Sequence, residues 1–301
     1  MAVSAGLPRP TAAAAFPPIP LRRRLFGFGS IYGKTIRDSR LAFIIAAGLL
    51  GSLPLIMGAA ISTVFPTPAD RLGVDKLVGS MPASMVNLFG NATLMGSKLG
   101  TLGGYITWKY GALFGLGTAL WSILALSGTL AGEAARGSLD FVAAAPFGKR
   151  RIALEKLAAH LTMLWLAMAI VAIMIFVSST AFGDPALGDT IPLSGAIGFA
   201  LWAGFIATCF GGLALTLAPL LGRAGSAAVA GIAMMVLWVA SGLDIGGPLV
   251  TLSPFRWTVN HVPLAGFYDW TGLAAVGVVA VIFLVIGVEL FRRRDLGVTA
   301  G

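Results

Sequence analysis

Two apolar runs without a single Asp, Glu, Lys or Arg, 111–132 and 157–183, bracket one short polar segment, and this alternation limits the fold more than anything else in the chain. Each run can cross a hydrocarbon core about 30 Å thick, which takes about 20 helical residues. Within a bilayer a segment must satisfy its own backbone N–H and C=O groups, so the runs are expected as helices. The stretch joining them is thereby held at one membrane face. That stretch, 128–156, reads GTLAGEAARGSLDFVAAAPFGKRRIALEK. Arg136, Lys149, Arg150, Arg151 and Lys156 mark its face as cytoplasmic, the side on which Lys and Arg collect in short loops.

The same character runs through the chain. Of its 301 residues 57% are apolar and 11% charged, with mean hydropathy +0.90. Soluble domains hold roughly 45 to 50% and about 25%. The composition is that of a polytopic membrane protein. A net charge of +9 raises nucleic acid as a partner. The basic residues, however, sit beside apolar runs, where topology and anionic lipid account for them, and no basic soluble domain is present to carry such a footprint. Cys209 is the single cysteine, which excludes an intramolecular disulfide and a cysteine metal centre; a small packed residue is the expectation.

Residues 1–20, rich in Ala and Pro, read as a disordered tail. Sixteen residues separate Arg24 from the first apolar run, unlike a secretory signal, so that run is expected to be retained. Six runs approach spanning length: about 41–62, 111–132, 157–179, 197–219, 226–243 and 270–290. Six crossings place both termini on one side. Of the 21 Lys and Arg, only Arg71, Lys76, Lys98, Lys109 and Arg256 then fall opposite the 128–156 segment, which argues for cytoplasmic termini.

Three further segments receive a place. The stretch 77–97 has no charge but is rich in Ser and Asn, and it is expected as an outer loop on the membrane surface, with Trp108 and Tyr110 as interfacial anchors. Residues 21–40, LRRRLFGFGSIYGKTIRDSR, are expected as an N-terminal amphipathic helix along the inner surface, weakened by Gly27, Gly29 and Gly33. Residues 244–269, punctuated by Pro and Gly, are too broken to cross and are expected as an outer re-entrant or capping element between the fifth and sixth spans. At the far end Glu289 stands one turn from Arg293, an expected helical ion pair. Gly111, Gly115 and Ala119, then Gly128 and Gly132, recur at four-residue spacing and permit close helix approach.

The order Glu133, Gly137-Ser138-Leu139-Asp140, Pro146, Lys149-Arg150-Arg151 and Lys156 resembles the loop after the second span of ABC-2 type transporter permeases. IYGKTIRDSR before the first span, Leu-Ser-Pro-Phe at 252–255 and FRRRDL at 291–296 are similar to that family too, and the resemblance covers about 31–296. It implies an all-α, six-span subunit of the cell membrane that pairs with a second permease half, identical or related. Two copies of a separate cytoplasmic ABC ATPase would supply energy and carry the ATP and Mg²⁺. It further implies outward movement of a drug-like, polyketide-like or lipidic compound. As residues coupling the ATPase to the membrane it implies Glu133, Arg136, Gly137, Ser138, Leu139, Asp140, Pro146, Lys149, Arg150 and Arg151, with Lys34 and Arg37 on the leading segment.

The residues themselves point away from chemistry within this chain. Gly33-Lys34-Thr35 is a near miss for a phosphate loop, which needs Gly at position 28, where Phe stands. Ionisable side chains inside the spans reduce to His160 and Glu289, both near inner ends, so no proton or sodium relay is expected. Two other readings stay open. One is a non-catalytic membrane scaffold. The other is a lipid-modifying enzyme using Asp244, Arg256, His261 and Asp269 of the outer element.

Overall fold

The computed structural model describes residues 30–135 and 148–293. It is built from helices: α1 Ile31–Val64, α2 Pro68–Gly79, α3 Ala83–Phe89, α4 Ala92–Met95, α5 Leu102–Ala135, α6 Lys149–Phe182, α7 Leu193–Leu243, α8 Pro248–Thr251, α9 Pro254–Trp257 and α10 Trp270–Arg293. Among the described residues the only β pairing is an isolated bridge between Val262 and Phe267. Five helices, α1, α5, α6, α7 and α10, are long and apolar enough to cross a membrane. The chain is an all-α protein of the multi-pass membrane type.

The fourth of these is two arms. Within α7 the backbone leaves helical geometry at Gly222, with φ 69° and ψ −175°, a combination open essentially to glycine alone. Pro219 lacks the N–H that would continue the ladder just before it. Trp202 and Trp238, about 54 Å apart on a straight helix, line one cavity, so the second arm folds back along the first. The expected runs 197–219 and 226–243 are these two arms. Arg223 stands at the bend, its guanidinium near Gly128 of α5.

Packing depends on small residues. A Cβ on Gly115 of α5 would come within 2.7 Å of the Trp202 ring of α7, so the small-residue face read from the sequence is an internal seam of this bundle. α1 leans on α6 through Gly58, where a side chain would meet Ser178 and Phe182. One turn earlier Pro54 lies inside α1, and the Ser178 hydroxyl donates to its carbonyl at 2.6 Å. α10 is tied to the first arm of α7 by Thr216, whose hydroxyl donates to the Phe283 carbonyl. Cys209 is buried there, as a packed small side chain. Leu41, Ile44 and Ile45 of α1 and Val278, Val281 and Val285 of α10 face outward, an apolar girdle suited to hydrocarbon.

Three expectations are revised. First, the leading segment is not a separate surface helix over its described part: Ile31 to Arg40 are the opening turns of α1, started by the Ser30 hydroxyl, which accepts from the Gly33 N–H. No breaker intervenes before Pro54, so propagation into the span is favourable. Residues 21–29 lie outside the described residues. Second, 77–97 is largely helical rather than a loop, with one apolar side buried. Thr67 and Asp70 form a reciprocal capping box that starts α2, and Val74, Val78, Val86, Met95 and Trp108 then close a small core of their own with Val262 and Ala265. Trp108 is thus 9% exposed rather than an anchor, with the Lys109 ammonium 4.3 Å over its ring. Third, α5 runs on to Ala135 and α6 begins at Lys149, so the polar segment is partly helical at both edges.

Residues 244–269 do cap one end of the bundle. The Pro263 carbonyl sits against Gly195 and the Leu264 carbonyl against Gly103, contacts open only to glycine. A buried ion pair closes the same end: both terminal guanidinium nitrogens of Arg71 reach the Asp189 carboxylate, at 2.9 and 3.0 Å. Two further N–H groups of Arg71, on Nε and Nη1, donate to the carbonyls of Phe65 and Gly100, and Asp189 also accepts from the Leu102 and Asp184 N–H groups. Three chain segments, 65–71, 100–102 and 184–189, meet at this clasp, which no sequence motif announced.

Candidate functional site

The other end of the bundle collects the starts of α1 and α6, the bend of α7 and the close of α10. Lys34, Arg37, Arg40, Lys149, Arg150, Arg151, Lys156, Arg223, Arg292 and Arg293 all belong to it. Here two segments that the sequence offered separately are joined. Glu155 of α6 lies beside the start of α1, and its Oε2 accepts from the Ile31 and Tyr32 N–H groups at 3.0 and 3.2 Å. Helix starts leave such groups without partners, and a carboxylate there also meets the positive end of the dipole. Its other oxygen takes the Arg151 guanidinium at 2.8 Å. The Tyr32 hydroxyl donates to Thr162 one to two turns farther along α6. Lys34 and Arg37 thereby project from a helix start fastened to the basic start of α6. On α1 itself both approach Asp38, at 3.6 and 3.3 Å.

Of the other residues singled out by sequence, Glu133 falls in the last turn of α5 rather than in a loop. Arg136, Gly137, Ser138, Leu139, Asp140 and Pro146 lie outside the described residues. Lys149, Arg150 and Arg151 form the first turn of α6. This charge opposes the helix dipole and is offset for Arg151 by Glu155. Glu289 pairs with Arg293 at 2.8 Å as its spacing implied, and with Arg292 as well. Gly33, Lys34 and Thr35 sit on the opening turns of α1, where the Thr35 hydroxyl donates to the Ile31 carbonyl. Glu155 escaped the sequence reading, because a single acid within a basic run reads as an i to i+4 partner; nothing local says that it reaches a helix more than a hundred residues earlier.

A cavity of about 540 Å³ opens between these elements. Lys34, Asp38, Lys156 and Arg223 stand around it, and Ala42, Trp121, Leu124 and Met163 form its apolar wall. Deeper in, buried His160 shares a 2.9 Å hydrogen bond with the Ser122 hydroxyl and meets the Trp121 ring edge-on.

The quartet Asp244, Arg256, His261 and Asp269 is split by the fold. Asp244 and Arg256 approach to 3.8 Å in an exposed pair. His261 is buried and both its ring nitrogens are committed: Nδ1 accepts from the Asp269 N–H at 3.1 Å, so Nε2 carries the proton and donates to the Gly198 carbonyl. Burial pushes its pKa below the ordinary 6.5. The Asp269 carboxylate accepts from the Gly272 N–H at the start of α10. His261 is a brace between α7 and α10, with no ring nitrogen left for proton transfer. No family model matches this chain, and no curated protein matches it.

Proposed function

We propose that this chain is the membrane-spanning permease subunit of an ATP-driven transporter of the ABC-2 type, moving a hydrophobic or amphiphilic compound outward with energy from a separate ATPase. The observation that carries this reading is the Glu155 junction. It makes the start of α1 and the start of α6 one mechanical unit, so a partner pressing on Lys149 to Arg151 would also move the first span. In this reading the two arms of α7 cross separately, which makes six crossings, and the end carrying Lys34, Lys149 and Arg223 faces the cytoplasm together with both termini. A second permease half completes the path. The chain works in the cell membrane and leaves ATP and Mg²⁺ to its partner.

The test is a mild-detergent pull-down of the full chain from native membranes, with vanadate-sensitive ATP hydrolysis assayed on what is recovered. One phosphate-loop ATPase per membrane subunit is the expected result. An intact chain recovered without such a partner overturns the proposal in favour of a membrane scaffold.

A further inference from the structure

The cavity at the basic end has the chemistry of a ligand site. Its volume, about 540 Å³, lies in the range of small-molecule pockets. Among the described residues that line it are three cations, Lys34, Lys156 and Arg223, and one carboxylate, Asp38, which Lys34 and Arg37 approach. The cations belong to three different elements, α1, α6 and the α7 bend, so they converge on the cavity instead of lining one helix face. Farther from the basic end the lining changes to Ala42, Trp121, Leu124 and Met163. From Lys156 past buried His160 to Met163 along α6 the lining passes from cationic to apolar in about 10 Å, the depth over which a bilayer passes from headgroup to acyl chain.

We propose that this cavity binds an anionic amphiphile, its phosphate or carboxylate head between Lys34, Lys156 and Arg223 and its chain against Trp121, Leu124 and Met163. A neutral or cationic head would gain nothing from the collar, and a fully hydrated anion would leave the apolar wall bare. Basic pockets between membrane helices on the cytoplasmic side take anionic lipid heads by this logic. The proposal deepens the permease reading, and rests on it, only in that such a ligand would stand where cargo of that class gathers before transport.

The experiment uses the full chain in maltoside detergent and radiolabelled dodecyl phosphate as probe, read by equilibrium binding. Saturable binding of about one probe per chain is expected, with dodecylphosphocholine and inorganic phosphate failing to displace it. Lys34→Gln with Arg223→Gln, both at exposed positions, should weaken binding at least about tenfold, since each removes a charge-assisted contact. Lys76→Gln with Lys109→Gln at the opposite end should change nothing. Non-saturable binding, displacement by inorganic phosphate, or equal loss in the two double variants overturns the site. Competition by dioleoylphosphatidylglycerol, with the phosphatidylcholine analogue inert, supports the site as one for resident lipid. Probe binding that this lipid does not displace supports it as one for a single-chain ligand. The pull-down separates the two proposals: an ATPase partner without probe binding removes the site alone, and probe binding without a partner removes the permease reading alone.

Discussion

Replacing Arg71 by Met should destabilise this protein more than any surface change, and the structure says by how much. The Arg71 side chain is 8% exposed and that of Asp189 not at all. Their two hydrogen bonds of 2.9 and 3.0 Å make a bidentate pair. Deleting one partner of a buried pair costs about 3 to 5 kcal/mol, because the other charge stays behind. The Phe65 and Gly100 carbonyls also lose a donor, which places the loss toward the upper part of that range. Asp189→Asn alone leaves the guanidinium buried against two carbonyls and should cost a similar amount. The double variant is the sharper probe. It holds no buried charge, and the Asn amide oxygen can still accept from the Leu102 N–H, so its loss should fall short of the sum of the singles by at least about 2 kcal/mol. The measurement is unfolding of the purified chain in mixed micelles titrated with dodecyl sulfate, followed by tryptophan fluorescence and helicity. Additive single losses, or a change under about 0.5 kcal/mol for Arg71→Met, would refute the clasp as a structural element.

Gly222→Ala should cost about 1 to 3 kcal/mol in the same titration, since the φ and ψ that reverse α7 are strained for any residue with a Cβ; a neutral result would mean the bend is made elsewhere. Gly58→Val should cost about 1 to 3 kcal/mol by overpacking α1 against Ser178 and Phe182, with Gly73→Val, at an open position, as the silent control. His261 sets a pH dependence. Its folded pKa lies below 6.5, so the stability held by the neutral ring is complete above about pH 6.5 and is lost as pH falls from there through the folded value. His261→Gln should flatten that slope in thermal unfolding scans between pH 5 and 8, and an unchanged slope would assign it to other groups. Glu155→Ala should leave insertion and yield intact while lowering the ATPase activity of the recovered complex, whereas full activity would remove the junction from the coupling path.

Long-range pairing marks the boundary of what the chain discloses locally. Helical periodicity was unnecessary for recognising the spans: about twenty residues without charge and poor in Ser, Asn and Pro sufficed, because hydrocarbon admits only self-satisfied backbone, and that made 111–132 and 157–179 legible where the equally uncharged 77–97 was set aside. Local chemistry likewise made Glu289 with Arg293 readable as a pair, since that interaction closes within four residues. The stretch 77–97 misled for a related reason. Its Ser and Asn suggested surface, yet Val78, Val86 and Met95 find a core only when 262–265 folds over them.

Composition and charge placement by themselves determined that this is a helical membrane chain with a basic face, because transfer into lipid is decided residue by residue. Tertiary structure alone decided that Glu155 fastens α6 to α1, that Arg71 meets Asp189, that Gly222 turns α7 back and that Lys34, Lys156 and Arg223 surround one cavity. Each of these is a meeting of groups far apart in the chain, or a backbone angle whose purpose appears only when its two arms have packed. Apolar periodicity carries no record of which helix stands next to which, and the partner of a buried charge is chosen by that neighbourhood.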